Sequence, residues 1–205
     1  DRALWLGPQA SAIRTDQVIG LDTNAAFTIE AWVWVPSDTD RRMRILSNNE
    51  LKEDGAHANG FGLGVSGDEG DRLHGAPVLM FTGYTIFDAY SRVPLPTDRW
   101  THVSVSMDGR RTLRMTIDGK QVQHRINTGP GRSQHPDYSG ELFVLPGDEL
   151  LKVGNARVLG NGPSEHWTGG IDELAVYGRV LDLETLAAHA RPGATQPSRT
   201  TPPAR

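Results

Sequence analysis

The adjacent carboxylates Asp172 and Glu173, in the segment GGIDELAVY, are the first candidates for chemistry in this chain. In a regular β-strand, alternation places Asp172 on the same side as Leu174 and Val176, and Glu173 on the opposite side. Burying an unpaired carboxylate costs several kcal/mol, so it needs a cation, a metal or backbone N–H groups as partners. We therefore predict that Asp172 faces inward, as a structural anchor or a metal ligand.

Two carboxylates can also hydrolyse a glycosidic bond if they lie about 5–9.5 Å apart across a cleft. Asp172 and Glu173 point in opposite directions, and Gly170 occupies the position of a second carboxylate on the Asp172 side. Glu30 could approach from another strand, although no pattern supports this. The chain also lacks the G-x-S-x-G, H-E-x-x-H and P-loop motifs. We expect no enzyme, and keep a glycoside hydrolase as the alternative.

Aromatic and planar polar residues in GYTIFDAY and nearby segments are candidates for sugar binding. A sugar site needs an aromatic ring for the apolar face of a pyranose, and polar groups for its hydroxyls. Tyr84, Tyr90 and Arg92 are the predicted ligand contacts, in a loop. Tyr138 and Trp167 are expected to join them from neighbouring loops.

Composition excludes several function classes. The 205 residues contain no cysteine, which rules out thiolate nucleophiles, Fe–S clusters and cysteine–zinc sites. A formal net charge of −4, with scattered lysines and arginines, argues against a nucleic-acid partner. No apolar run approaches the roughly 20 residues of a membrane span, and no basic-then-apolar leader opens the sequence. The chain is therefore expected to have neither a nucleic-acid partner nor a membrane span.

Period-two patterns indicate the strands that position these residues. Ala26 to Val35 alternates strictly, and residues 100–124 predict a three-strand meander with Asp-Gly turns. Shorter strands are predicted in ALWLG, MRILS, GFGLGVS, PVLMFTG, ELFVL and LLKVGN. One helix is predicted after Asp182 as its N-cap. The fold class is therefore all-β, an antiparallel two-sheet sandwich.

The composition changes near Arg191. Residues 192–205 are rich in proline and threonine, with almost nothing to bury, and read as a linker or disordered tail. The predicted domain therefore covers residues 1–191. Such a tail is typical of one module in a longer, often extracellular, protein.

The order of ALWLG, FTIEAWVWV, GFGLGV, the meander, LLKVGN and WTGGIDELAVYGRVLDLETL resembles the laminin-G-like, concanavalin A-like jelly-roll domains of bacterial extracellular proteins, relatives of the pentraxins. The resemblance implies a two-sheet jelly roll with one short C-terminal helix. It also implies a secreted or cell-surface recognition module that binds carbohydrate or another cell-surface ligand. A protein-adhesion or spacer domain, and a glycoside hydrolase or its accessory domain, remain the alternatives.

The same resemblance implies one calcium ion. Asp172 matches the aspartate of the family's closing motif, which in several relatives contributes to the calcium site. Calcium takes six to eight oxygens at about 2.3–2.6 Å, and Asp22 and Asn24 have the oxygen-rich spacing that could add ligands. Either residue could instead cap a turn. Leu6 stands where relatives often carry an acidic residue, so a metal would rely on other oxygens or be absent.

Overall fold

The computed structural model describes residues 3–7, 13–18, 25–48, 60–83, 87–108, 112–128, 133–135, 142, 144, 150–155 and 165–191. For residues 14–18 and 133–135 it describes only the backbone. No helix among these residues is long and apolar enough to cross a membrane.

Strands dominate the described part of the chain. They are β1 Leu4–Leu6, β2 Ile13–Val18, β3 Phe27–Trp34, β4 Arg42–Ser47, β5 Phe61–Ser66, β6 Val78–Gly83, β7 Phe87–Ser91, β8 Trp100–Met107, β9 Leu113–Ile117, β10 Lys120–Val122, β11 His124–Thr128, β12 Ser133–His135, β13 Leu150–Val153 and β14 Gly169–Tyr177. A single helix, α1 Leu183–His189, follows β14 among the described residues.

The strands form two antiparallel sheets. The six-stranded sheet has the order β1-β14-β3-β8-β9-β10, and the eight-stranded sheet has the order β12-β11-β7-β6-β5-β4-β13-β2. The apolar residues of the two inner faces make one buried core between the sheets. The predicted all-β sandwich is therefore confirmed, as is the β8-β9-β10 meander.

Strand β3 shows how alternation builds this core. Phe27, Ile29, Ala31 and Val33 are all buried in the core, and β8 pairs with β3 so that Val105 lies opposite Ile29. Directly opposed residues of an antiparallel pair point to the same face. The outer face of the six-stranded sheet therefore carries the residues that alternate with these, namely Thr28, Glu30, Trp32 and Trp34.

A β-bulge in β14 overturns the predicted inward position of Asp172. Asp172 lies opposite Trp32, and Ala175 lies opposite Glu30, so Glu173 and Leu174 together face the single residue between those partners. Glu173 has a φ of 49°, in the left-handed region. The extra residue reverses the alternation. Asp172 thus lies on the outer face of the sheet, and the prediction that it points inward with Leu174 and Val176 is wrong.

Helix α1 covers part of this outer face. The Asp182 carboxylate Oδ1 accepts a hydrogen bond of 2.7 Å from the Thr185 backbone N–H, which confirms the predicted N-cap. Leu186 is the buried residue of the helix. The turn after β9 needs Gly119 here, because a Cβ at this position would lie 2.6 Å from the Ala187 Cα.

Several strands of the structure were not predicted from the sequence patterns. The segment GYTIFDAY was predicted to be a loop, but Phe87–Ser91 is strand β7, and that prediction is wrong. Strands β2, β11 and β12 were also not predicted. Of ELFVL, only residues 142 and 144 are described, and both lie outside strands. The predicted tail, residues 192–205, lies outside the described residues.

Candidate ligand-binding faces

The outer face of the eight-stranded sheet carries a row of polar side chains across adjacent strands. Arg125 of β11 lies opposite Tyr90 of β7, Tyr90 lies opposite Met80, and the row continues through Gly64 to Arg44 of β4. Arg42 lies on the same side, one pleat away. We call this surface the polar face, defined by Arg42, Arg44, Met80, Asp88, Tyr90 and Arg125.

Tyr90 stands at the centre of the polar face. The guanidinium carbon of Arg125 lies 5.0 Å from the ring centroid, and that of Arg42 lies 5.9 Å away. The Tyr90 hydroxyl donates a hydrogen bond of 3.2 Å to Asp88 Oδ2. Burial raises the pKa of Tyr90 to about 12. The phenol therefore stays neutral at physiological pH and remains a donor.

Loop carboxylates hold the arginines of the polar face in place. Asp71 accepts from Arg125 and from Arg42, each at 3.1 Å, and its Oδ2 also accepts from Ser66 Oγ at 2.7 Å. The second carboxylate on Arg42 is Asp68, at 2.9 Å. Burial raises the pKa of Asp68. The guanidinium groups of Arg42 and Arg125 are thereby held in fixed positions.

The third arginine of this face, Arg44, pairs with Glu165, which precedes β14. Its neighbour on β5 is a glycine for a steric reason. A Cβ at position 64 would lie 2.2 Å from the Met43 carbonyl oxygen and 3.2 Å from Arg44 Cδ. Gly64 therefore allows the close approach of strands β4 and β5.

The structure does not bring the predicted sugar-binding residues together on one surface. Tyr90 lies on the polar face but is buried, and Arg92 lies exposed just after β7, where its N–H donates to the Gln123 carbonyl. Trp167 is completely buried in the core, so it is removed from the candidate ligand surface. Tyr84 and Tyr138 lie outside the described residues. Ligand contact by Tyr90 and Arg92 stays a prediction.

Of the three predicted calcium ligands, the structure describes only Asp172. Asp22 and Asn24 lie outside the described residues. Asp172 is half-buried on the outer face, where its Oδ1 accepts a hydrogen bond of 2.9 Å from the Glu173 N–H. Among the described residues, no group of three His, Cys, Asp or Glu side chains could hold a metal ion. Calcium binding stays a prediction.

A buried cluster around Glu30 joins helix α1 to the six-stranded sheet. The Tyr177 hydroxyl donates to Glu30 Oε1 at 2.8 Å, and His189 Nδ1 of the helix lies 2.9 Å from the same oxygen. His102 Nε2 lies 3.3 Å from Oε2. Burial alone would raise the pKa of Glu30, but the hydrogen bonds and charges of these partners lower it overall.

This Glu30 cluster bears on the glycosidase alternative. Glu30 and Asp172 do share the outer face of one sheet, as the alternative required. The Glu30 carboxylate, however, is buried, and both of its oxygens face side chains of this chain. The arrangement is that of a clamp between helix and sheet, and it leaves no room for a sugar at the carboxylate.

A second candidate surface lies at the other end of the same outer face. Trp5 of β1 is opposite Gly170, Gly170 is opposite Trp34, and Trp34 is opposite Trp100 of β8. The three indoles are half-buried and contact each other edge to face, with centroids 5.5, 5.9 and 6.2 Å apart. We call Trp5, Trp34 and Trp100 the tryptophan face.

Sequence reasoning missed the tryptophan face. Alternation did place Trp34 on the face opposite the core, so one signal was available. The meeting of the three indoles depends on the register of four strands, which spacing along the chain does not contain. Gly170 is part of this arrangement, since a Cβ there would lie 2.5 Å from Trp100 Cη2.

The family model described as the concanavalin A-like lectin/glucanases superfamily matches residues 8–187. No curated protein matches the chain.

Solved structures share the fold at low identity. A heptameric SAP-like pentraxin from Limulus polyphemus is 14% identical, with a TM-score of 0.57, over 95% of this chain and 83% of that one. The CBM40 domain of the Ruminococcus gnavus IT-sialidase, bound to α2,3 sialyllactose, is 13% identical, with a TM-score of 0.58, over 88% and 96%. A Trypanosoma rangeli sialidase is 15% identical, with a TM-score of 0.51, over 88% of this chain but only 28% of that enzyme.

Proposed function

This chain belongs to the concanavalin A-like lectin/glucanase superfamily, and on that premise we propose that it is a non-catalytic carbohydrate-binding domain that works outside the cell. The polar face is the proposed sugar-binding surface. The observation that carries the proposal is the network in which Tyr90 lies between Arg42 and Arg125 while Asp71 bridges both arginines.

Such a network suits the recognition of sugar hydroxyls. Each hydroxyl both donates and accepts, so a sugar is best held by neighbouring donors and acceptors in fixed positions. Guanidinium groups supply planar donors, and Asp68 and Asp71 supply acceptors. The side chains of Arg42 and Arg125 remain 29% and 16% exposed. These two arginines are therefore the part of the polar face that a ligand can contact, because the other residues of this face are buried.

The mode of binding differs from stacking on an aromatic ring. Tyr90 is buried beneath the two arginines, so its ring offers no free platform. Its contribution is to hold the guanidiniums by cation–π contact, which is worth about 0.5–2 kcal/mol. Two solved structures with the same fold support carbohydrate as the ligand class: the CBM40 domain bound to sialyllactose and the sialidase that contains a similar domain.

The non-catalytic part of the proposal rests on the carboxylates. A glycosidase needs one carboxyl group as acid and another as base or nucleophile, both open to a cleft. On the polar face Asp71 is engaged by Arg42, Arg125 and Ser66, and Glu165 is engaged by Arg44. Paired carboxylates of this kind favour binding over proton transfer.

A glycan array tests the proposal. We expect the chain to bind at least one glycan class, and we expect Arg125→Ala and Arg42→Ala to weaken that binding by about 1–3 kcal/mol each. Arg179→Ala is the matched control, because Arg179 is an exposed arginine between helix α1 and the end of β14, a strand of the other sheet. Binding to no glycan would refute the proposal and favour the protein-adhesion or spacer alternative.

A further inference from the structure

The tryptophan face is a second candidate surface that the proposed function does not use. Trp5, Trp34 and Trp100 lie on the outer face of the six-stranded sheet, whereas the polar face belongs to the eight-stranded sheet. Of the five tryptophans in the chain, the other two, Trp32 and Trp167, are buried. The half-buried indoles of the described chain are thus gathered in one place.

Polar groups flank this cluster at Trp100. Arg99 is half exposed and donates from Nη1 to the Trp100 carbonyl oxygen at 3.2 Å. Its Nη2 donates to Asp118 Oδ2 at 2.6 Å, and Asp118 Oδ1 accepts from the His102 N–H at 3.1 Å. A planar cation and a planar anion are therefore fixed at the Trp100 backbone, and both remain accessible to solvent.

The chemistry of this surface favours one class of ligand. A pyranose ring presents C–H groups on its faces and hydroxyls at its edge, which matches an indole cluster with donors and acceptors at its border. The charges of Arg99 and Asp118 offset each other, so this ion pair adds no net charge to the border of the indole cluster. Helix α1 covers the same sheet face at Glu30 and Gly119, which confines a ligand to the tryptophan end.

We propose that Trp5, Trp34 and Trp100, with Arg99 and Asp118, form a second carbohydrate site that binds uncharged pyranose rings by stacking. The inference rests on the proposed function for the class of ligand, but the two sites lie on different sheets and use different residues. One domain would then hold two sugar units at once, and linked sites gain avidity when both engage one polysaccharide.

Tryptophan fluorescence tests this second site directly. Titration with cellohexaose, xylohexaose, mannohexaose and laminarihexaose, all uncharged, is expected to change the emission saturably for at least one of them. Trp5→Ala is expected to weaken that binding about tenfold, because it removes both buried area and an aromatic contact. Trp5→Phe keeps a ring and is expected to retain most of the affinity.

Two further variants separate recognition from folding. Trp5→Ala could release β1 from the sheet, so Arg99→Ala, which removes an exposed side chain only, is expected to weaken the same titration severalfold while the melting temperature stays unchanged. Leu183→Ala, at an apolar helix residue that is 38% exposed, is the control for loss of apolar surface and is expected to have no effect.

The outcomes distinguish the two sites. Arg125→Ala is expected to leave the fluorescence titration intact, so a failure of the polar face would not remove this signal. No emission change with any of the four oligosaccharides at millimolar concentration would overturn the inference. Unchanged binding by both Trp5→Ala and Arg99→Ala would also overturn it, and would assign the indoles to holding β1 on the sheet.

Discussion

Removing the Glu30 carboxylate should destabilise the folded protein, because this carboxylate joins helix α1 to the six-stranded sheet. Glu30→Ala leaves buried His102 without the carboxylate that it faces at 3.3 Å, and it takes the acceptor at 2.8 Å from Tyr177. The hydrogen bond from Tyr177 to the charged carboxylate contributes about 1.5 kcal/mol or more, and leaving buried His102 without the carboxylate costs a similar amount, so the two losses together amount to about 3 kcal/mol. His189 is 41% exposed, and its contact adds under about 1 kcal/mol.

Urea unfolding at pH 7, followed by circular dichroism, measures this loss. The expected change in the free energy of unfolding is about 3–4 kcal/mol. Glu69→Ala is the control, because Glu69 is an exposed acid in a loop and should cost less than about 0.5 kcal/mol. If Glu30→Ala also costs less than about 0.5 kcal/mol, the clamp is absent and the reasoning is wrong.

The same carboxylate predicts a dependence on pH. Since the folded protein lowers the pKa of Glu30 below its ordinary value near 4.5, the folded state binds this proton less tightly than the unfolded chain. The resulting stabilisation is present above pH 4.5 and is lost as the pH falls through the lowered value. We therefore expect the stability difference between the wild type and Glu30→Gln to shrink on acidification. A difference that grows instead would contradict the sign of this shift.

Three further changes have expected outcomes. Gly170→Ala places a methyl group against the Trp100 indole and should cost about 1–3 kcal/mol in urea unfolding, whereas Gly178→Ala, where the space is open, should cost little. Asp182→Ala should lose about 1 kcal/mol by removing the N-cap of α1, and Asp182→Asn should restore most of it; equal losses would argue against capping. Asp172→Ala should reduce any calcium-dependent rise in melting temperature, because Asp172 is the predicted calcium ligand; an unchanged rise would contradict that prediction.

The sandwich itself could be predicted from local patterns. Strict alternation in β3 depends on neighbouring residues only, as does the Asp118-Gly119 turn of the meander, and the structure confirms both. The N-cap at Asp182 is equally local, since one side chain bonds to a backbone N–H three residues later. These elements are enough to identify the fold class.

The position of Asp172 could not be predicted in the same way. Alternation holds only while the strand is regular, and the bulge at Glu173 shifts the phase by one residue. Glycine is the residue type that usually indicates a positive φ, but the residue with the positive φ in this bulge is Glu173. Its residue type therefore does not predict the bulge. An error of one residue was enough to move the leading candidate from the core to the surface.

The candidate site was predictable only in part. Tyr90 was identified as a candidate, but strand β7 was not predicted. Its five residues are too few to establish an alternation of polar and apolar side chains. Arg42 and Arg125 reach Tyr90 from strands that are distant in sequence, and Asp71 joins them from a loop. Such a network depends on strand order and register, which long-range pairing decides.

The central claim is that the polar face binds sugar. The most direct measurement follows the side-chain Nε–H signals of Arg42 and Arg125 by NMR while a glycan retained by the chain is added to saturation. Both signals are expected to shift along the same binding curve, because both guanidiniums flank Tyr90 and share Asp71. Saturating glycan that leaves both signals unmoved would contradict the claim.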